Sequence, residues 1–199
     1  MPTFFSDGVE IAYREAGEGA PVLLIHGFGS NIDVNWGDTG WISTLVNAGY
    51  RVIALDNRGH GASAKLYDKA AYAAPEMAED ARRLLDHLEI AQADVMGYSM
   101  GARIAAFLAI EHPSRVRRLV LAGLAANMID GVPGGEAIAR ALEAESLADV
   151  TGAEPRAFRK VAEQTKSDLK ALAACMRSSR ERIDREALGR IRCPVLVVA

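Results

Sequence analysis

Residues 93–113 read ADVMGYSMGARIAAFLAIEHP, and this stretch decides the fold. The short apolar run ADVM at 93–96 suits a strand. The run MGARIAAFLAIEH at 100–112 is nearly all small or apolar, as a central buried helix would be, and Pro113 stops it. Between strand and helix stands Gly97-Tyr98-Ser99-Met100-Gly101. A G-x-S-x-G at such a junction puts its serine on a sharp turn with a strained backbone. Residues two positions either side of the serine press on neighbouring backbone, so both must be small, and here both are glycine. The turn lifts the hydroxyl above the sheet edge, at the N-terminus of the next helix, where the dipole favours developing negative charge. Ser99 is therefore the candidate nucleophile.

Working outward, further apolar runs bounded by glycine read as strands: PVLLI at 21–25, RVIAL at 51–55, VRRLVL at 116–121 and CPVLVV at 193–198. Continuous β-branched and leucine runs suit strands covered by helices on both faces. The start of the chain alternates around Asp7-Gly8, which predicts a hairpin. Residues 75–88, PEMAEDARRLLDHL, open with proline and acidic residues and repeat apolar positions at i+3 and i+4. Strands alternating with helices predict an α/β fold with a mostly parallel sheet and right-handed crossovers. Residues 125–190 break the rhythm with helical stretches and no strand. They are expected to form a helical cap inserted within a single domain spanning 1–199.

Two loops flank the serine motif in this reading. His26-Gly27-Phe28-Gly29 follows the strand PVLLI. A tetrahedral oxyanion needs two converging N–H donors, and the expected pair is the backbone of Phe28 and Met100, with glycines at 27 and 29 allowing close approach. Asp56-Asn57-Arg58-Gly59-His60-Gly61, followed by Ser63, offers an acid and a histidine. Their spacing reads better as a polar turn bound to its own backbone than as catalytic machinery.

Half of the 199 residues are hydrophobic and a quarter are charged, which suits a globular domain with a real core. The net charge of −3 gives no general attraction to nucleic acid or anionic membrane. Charge is uneven: residues 1–150 hold 12 basic and 20 acidic side chains, residues 151–199 hold 11 and 6. That basic end reads first as solvated helix faces, and second as an anion-attracting lid. Cys175 and Cys193 lack metal spacing and read as reduced thiols. With no signal-peptide pattern and no bilayer-length apolar run, a cytoplasmic location is expected.

HGFG at 26–29, DNRGHGAS at 56–63, GYSMG at 97–101 and HPSRVRRLVLAG at 112–123 together resemble the α/β-hydrolase superfamily in order and spacing. IRCPVLVVA at 191–199 resembles the strand after that family's cap. Within the family the chain looks most like the serine esterase, haloperoxidase and C–C hydrolase group. A serine at 99, where haloalkane dehalogenases and epoxide hydrolases carry aspartate, points away from their chemistry. The resemblance implies a small-molecule ester, thioester or activated carbonyl substrate, no cofactor and no metal. It also implies that the triad acid follows the strand CPVLVV and the histidine comes later, so neither is expected within 1–199. His26 reads as a structural prop, His60 as part of its turn, His87 as solvent-facing, and His112 as ending its helix. Trp36, Trp41 and Met128 are the candidate substrate-lining residues. An uncovered apolar edge after the last strand would call for a complementing C-terminal segment or a homodimer. The alternative to an enzyme is a ligand-binding or receptor-like module of the same fold.

Overall fold

A computed structural model describes residues 1–131 and 133–199. Its seven strands form one sheet: β1 (Thr3–Ser6), β2 (Val9–Ala16), β3 (Ala20–Ile25), β4 (Tyr50–Leu55), β5 (Ala93–Tyr98), β6 (Val116–Ala122) and β7 (Val195–Val198), in the order β1-β2-β4-β3-β5-β6-β7. β1 and β2 are antiparallel and turn through Asp7 and Gly8, at φ 48° and 79°. Two consecutive residues at positive φ give a hairpin twist that matches its strands. β2 also runs antiparallel to β4, and every later pairing is parallel.

The helices are α1 (Trp41–Asn47), α2 (Ala74–His87), α3 (Met100–Glu111), α4 (Asn127–Asp130), α5 (Gly135–Glu143), α6 (Ala153–Gln164), α7 (Leu169–Ser178) and α8 (Arg185–Leu188). α2 and α3 cover one face of the sheet, burying Leu23, Ile25, Ile53, Leu55, Val95 and Leu119. Ala102, Ile104, Ala105, Ala106 and Leu108 of α3 have no exposed surface, which explains a helix with so little polar face. α1 and Trp36 cover Val22, Leu24, Val52 and Ala54 on the other face.

That second face continues through register partners that no helix covers among the described residues. Leu24 neighbours Met96, Met96 neighbours Val120, and Val120 neighbours Leu196. Met96, Val120 and Leu196 floor an open cleft of about 1070 Å³. β7 is the sheet edge, and Val195 to Val198 are all exposed, between 44% and 58%.

Between β6 and β7 the described residues contain helices and no strand. α5, α6 and α7 share a small core of Ile138, Leu142, Ala162, Leu172 and Met176. Phe28 packs against both this cluster and the main core, so the loop after β3 joins the helical layer to the sheet. Cys175 is buried beneath it, and burial pushes its thiol up to about 12, the behaviour of an inert packing residue. No helix among the described residues is long and apolar enough to cross a membrane.

Candidate active site

β4 and β5 lie on opposite sides of β3, so the winding direction of the sheet reverses at β3. Loops leaving adjacent carboxyl ends diverge at such a point and leave a crevice between them. The loop after β3 and the turn after β5 form it here.

Ser99 caps α3 with φ 51° and ψ −114°, a strained conformation for a residue with a side chain. Its N–H is tied to the Ala122 carbonyl at 2.8 Å. Both glycines of the motif are forced by contact. A Cβ on Gly97 would sit 2.2 Å from the Gly101 oxygen, and one on Gly101 would sit 2.0 Å from the Ile25 oxygen. Gly27 is packed close as well: its Cβ would meet the Tyr98 oxygen at 3.3 Å and the Ser99 Cβ at 3.4 Å. Among the described residues, the N–H groups of Phe28 and Met100 have no acceptor. The Met100 N–H is one of the orphan donors at the start of α3.

The loop at 26–29 is braced from behind. The Asn57 N–H donates to His26 Nε2 at 3.0 Å. That bond assigns the ring proton to Nδ1, which donates to the Gly27 carbonyl at 2.7 Å. Asn57 Nδ2 donates to the His26 carbonyl, and the Gly27 N–H donates to Asn35 Oδ1, both at about 3 Å. Asp56 accepts from the N–H groups of Ile32 and Ala62, at 2.8 and 2.7 Å, and Ser63 Oγ donates to the Asp56 carbonyl at 2.6 Å. His60 Nδ1 bonds the Arg58 carbonyl at 3.0 Å. Residues 56–63 are thus the self-bonded turn that the sequence suggests.

Burial pulls His26 down to about 4. Burial, and then the neighbouring His26, pull His60 down to about 3. Both rings stay neutral at ordinary pH. His87 is exposed but stacks on Phe4 at 5.4 Å, and His112 pairs with Glu79. None of the four histidines bonds Ser99. Glu79, Glu111 and His112 form the candidate metal cluster among the described residues. It lies about 18 Å from Ser99, the length of α3, and Arg82 and His112 already occupy Glu79.

Two spaces meet at Ser99. One is the open cleft along the bare sheet face, lined by Trp36 and Trp41. The other is a cavity of about 180 Å³ under the helical layer, bounded by Phe28, Met100, Arg103, Asn127, Phe158 and Arg180 among others. Of the expected lining residues, Met128 requires correction: it is 3% exposed and packs in the main core. In the single turn of α4 it is Asn127 that faces the cavity. Trp36 is chiefly a core residue between β3, β4 and α1, with its indole N–H buried and unpartnered.

This strand–serine–helix turn, set at a sheet switch point beside a glycine-flanked loop, is the geometry of the hydrolases built on doubly covered parallel sheets. The family model for the alpha/beta hydrolase fold matches residues 20–151, and the chain belongs to that family. It is 41% identical over 118 residues to the 2-hydroxymuconate semialdehyde hydrolase of Pseudomonas sp. (strain CF600), covering 59% of this chain and 41% of that protein. It is 39% identical over 116 residues to the non-heme chloroperoxidase CPO-A1 of Kitasatospora aureofaciens, covering 58% and 40%. The matched stretch thus spans about two fifths of these curated relatives. Among solved structures, a hydrolase from Pseudomonas aeruginosa PA01 superposes with a TM-score of 0.76 at 28% identity, over 100% of this chain and 79% of that one.

Proposed function

We propose that this chain is the nucleophile-bearing part of a serine hydrolase acting on a small to medium ester, thioester or activated carbonyl compound. Ser99 Oγ attacks the carbonyl carbon, and the oxyanion is held by the N–H groups of Phe28 and Met100. The observation that carries the reading is the pairing of a strained Ser99 with two orphan backbone donors on either side of it. Strain of this kind persists only where the surroundings over-determine it, and it concentrates at functional sites.

In this reading the serine's proton goes to a base other than the four histidines of residues 1–199. His26 and His60 are engaged in bracing their loops, and His87 and His112 are engaged elsewhere. The substrate is a small molecule, and the chemistry needs neither cofactor nor metal. The acyl-enzyme is the species to look for. Incubation with 4-nitrophenyl acetate followed by peptide mapping should find acetyl on Ser99, absent from Ser99→Ala. Acetyl found only on lysines, tyrosines or other serines of the folded chain would refute the assignment and leave the receptor-like alternative.

A further inference from the structure

We propose that the small cavity beside Ser99 is an anion subsite, in which Arg103 and Arg180 receive a carboxylate of the substrate. The inference rests on the reading of Ser99 above and names the substrate class for it: esters carrying a carboxylate a few bonds from the scissile carbonyl.

Arg103 is the central observation. It sits four residues after Ser99 on α3, so its side chain leaves the same side of the helix as the serine. It is 2% exposed and lines the cavity. Its Nη1 donates to the Glu181 carbonyl, while Nε and Nη2 have no acceptor among the described residues. No carboxylate there comes within 4 Å of it. A buried guanidinium without a counter-ion is costly, because desolvation is not repaid by an opposite charge. Packing does not require it, since the other buried residues of α3 are methionine, glycine, alanine, isoleucine and leucine.

Arg180 brings a second positive charge to the same cavity while donating to the Pro133 carbonyl at 2.9 Å. Burial first, and then the charge of Arg180, pull Arg103 down. Glu181 bears on Arg103 and Glu154 on Arg180. Both acids are exposed, and Glu154 also lines the cavity, so one carboxylate faces two guanidinium groups there and the lining keeps a net positive charge. Two guanidinium groups lining one small cavity are poised for an anion, and the Nε and Nη2 groups that Arg103 keeps open suit a carboxylate. Asn127 adds a neutral polar group, while Phe158 and Met176 provide apolar wall.

Size narrows the class. The cavity is small, about 180 Å³ against about 1070 Å³ for the open cleft. A short chain ending in carboxylate fits. The remainder of the ester would lie in the open cleft on the other side of Ser99.

The test is calorimetric binding of monomethyl succinate and of dimethyl succinate to Ser99→Ala, which share a skeleton and differ in charge. Monomethyl succinate should bind at least 10-fold tighter. Arg103→Met should bring the two to parity, and Arg103→Lys should recover part of the difference. Equal affinity for the two esters, or a preference untouched by Arg103→Met, overturns the proposal. Should Arg103→Met fail to fold, the two esters on the parent protein and on Arg180→Met decide the matter. Acetyl mapping of Ser99 reads the nucleophile separately. Charge-selective binding without acylation sinks the hydrolase reading alone, and acylation without charge selectivity sinks the subsite alone.

Discussion

A Cβ on Gly101 would stand 2.0 Å from the carbonyl oxygen of Ile25. The first turn of α3 is therefore seated directly on the end of β3, and this contact holds Ser99 over the crevice. Gly101→Ala should cost about 3 kcal/mol, the upper end of overpacking penalties, because backbone must move on both sides. Gly49→Ala is the contrast: φ is 82° but nothing lies within 4 Å. It should cost only the left-handed penalty, about 1–2 kcal/mol. Urea unfolding measures both. Acetylation of Ser99 should be lost in the first variant and kept in the second.

The elements were legible where sequence period and burial agree. Alternation around Asp7-Gly8, apolar runs for β3 to β6, and the i+3/i+4 pattern of α2 each report a face that the fold then buries. The serine turn was legible because both glycines answer a steric demand. Met128 was misplaced because a single helical turn has too short a period to show which side faces inward. The Arg58–Asp80 pair lies 22 residues apart and needs the fold to bring it together. Arg103 did leave a signal: it is the one strongly charged residue between 100 and 110, in a helix that otherwise reads as fully buried.

Imidazole should act as a base toward Ser99, which none of the four histidines of residues 1–199 bonds. Ser99 is half-buried and opens onto the wide cleft, so a small base can approach it. Added imidazole should raise hydrolysis of 4-nitrophenyl acetate by about 10-fold over Ser99→Ala, below the roughly 10²–10⁴ of a positioned base. Identical imidazole dependence in the two proteins would show that the gain is solution catalysis.

His26 and His60 make stability fall with acid. Their rings are 5.2 Å apart and buried, with folded values of about 4 and about 3 against 6.5 when exposed. A histidine lowered in the folded state contributes stability that is present above 6.5. That contribution is lost as pH falls from 6.5 through the folded value, since only the unfolded chain takes up the proton. Each ring should add up to about 1.4 kcal/mol per pH unit to that loss. Urea unfolding at pH 7.5, 6 and 5 should show the slope, and His60→Gln should flatten it. A slope the same in both would assign the acid sensitivity to other groups.

The turn at 56–63 also depends on a buried ion pair. Arg58 Nε and Nη2 each bond Asp80 at 2.7 Å, Ser6 Oγ donates to Asp80 at 2.5 Å, and Arg58 Nη1 bonds the Ala71 carbonyl at 2.7 Å. Arg58 and Asp80 are 3% and 1% exposed. Removing one partner strands the other, so Asp80→Asn should cost about 3–5 kcal/mol. Because Asn57 of the same turn braces His26, acetylation of Ser99 should weaken with it. A loss below 1 kcal/mol in chemical denaturation would mean that Arg58 finds another partner or water.

A chain of residues 1–199 should associate through β7. Among the described residues no strand pairs with its outer edge, and Val195, Leu196, Val197 and Val198 are 44%, 58%, 56% and 47% exposed. An apolar edge of this kind is a template for another strand, and a lysine placed on it opposes pairing. Sedimentation velocity across a concentration series should show self-association that Val197→Lys reduces, with less binding of a hydrophobic dye. Leu196 shares its face with Met96 and Val120, so Leu196→Lys should also reduce dye binding in the cleft. If edge pairing drives the association, Val197→Lys should act more strongly on sedimentation than Met96→Gln, which alters the cleft floor and leaves the edge intact. The reverse order would show that the open face associates and the edge does not.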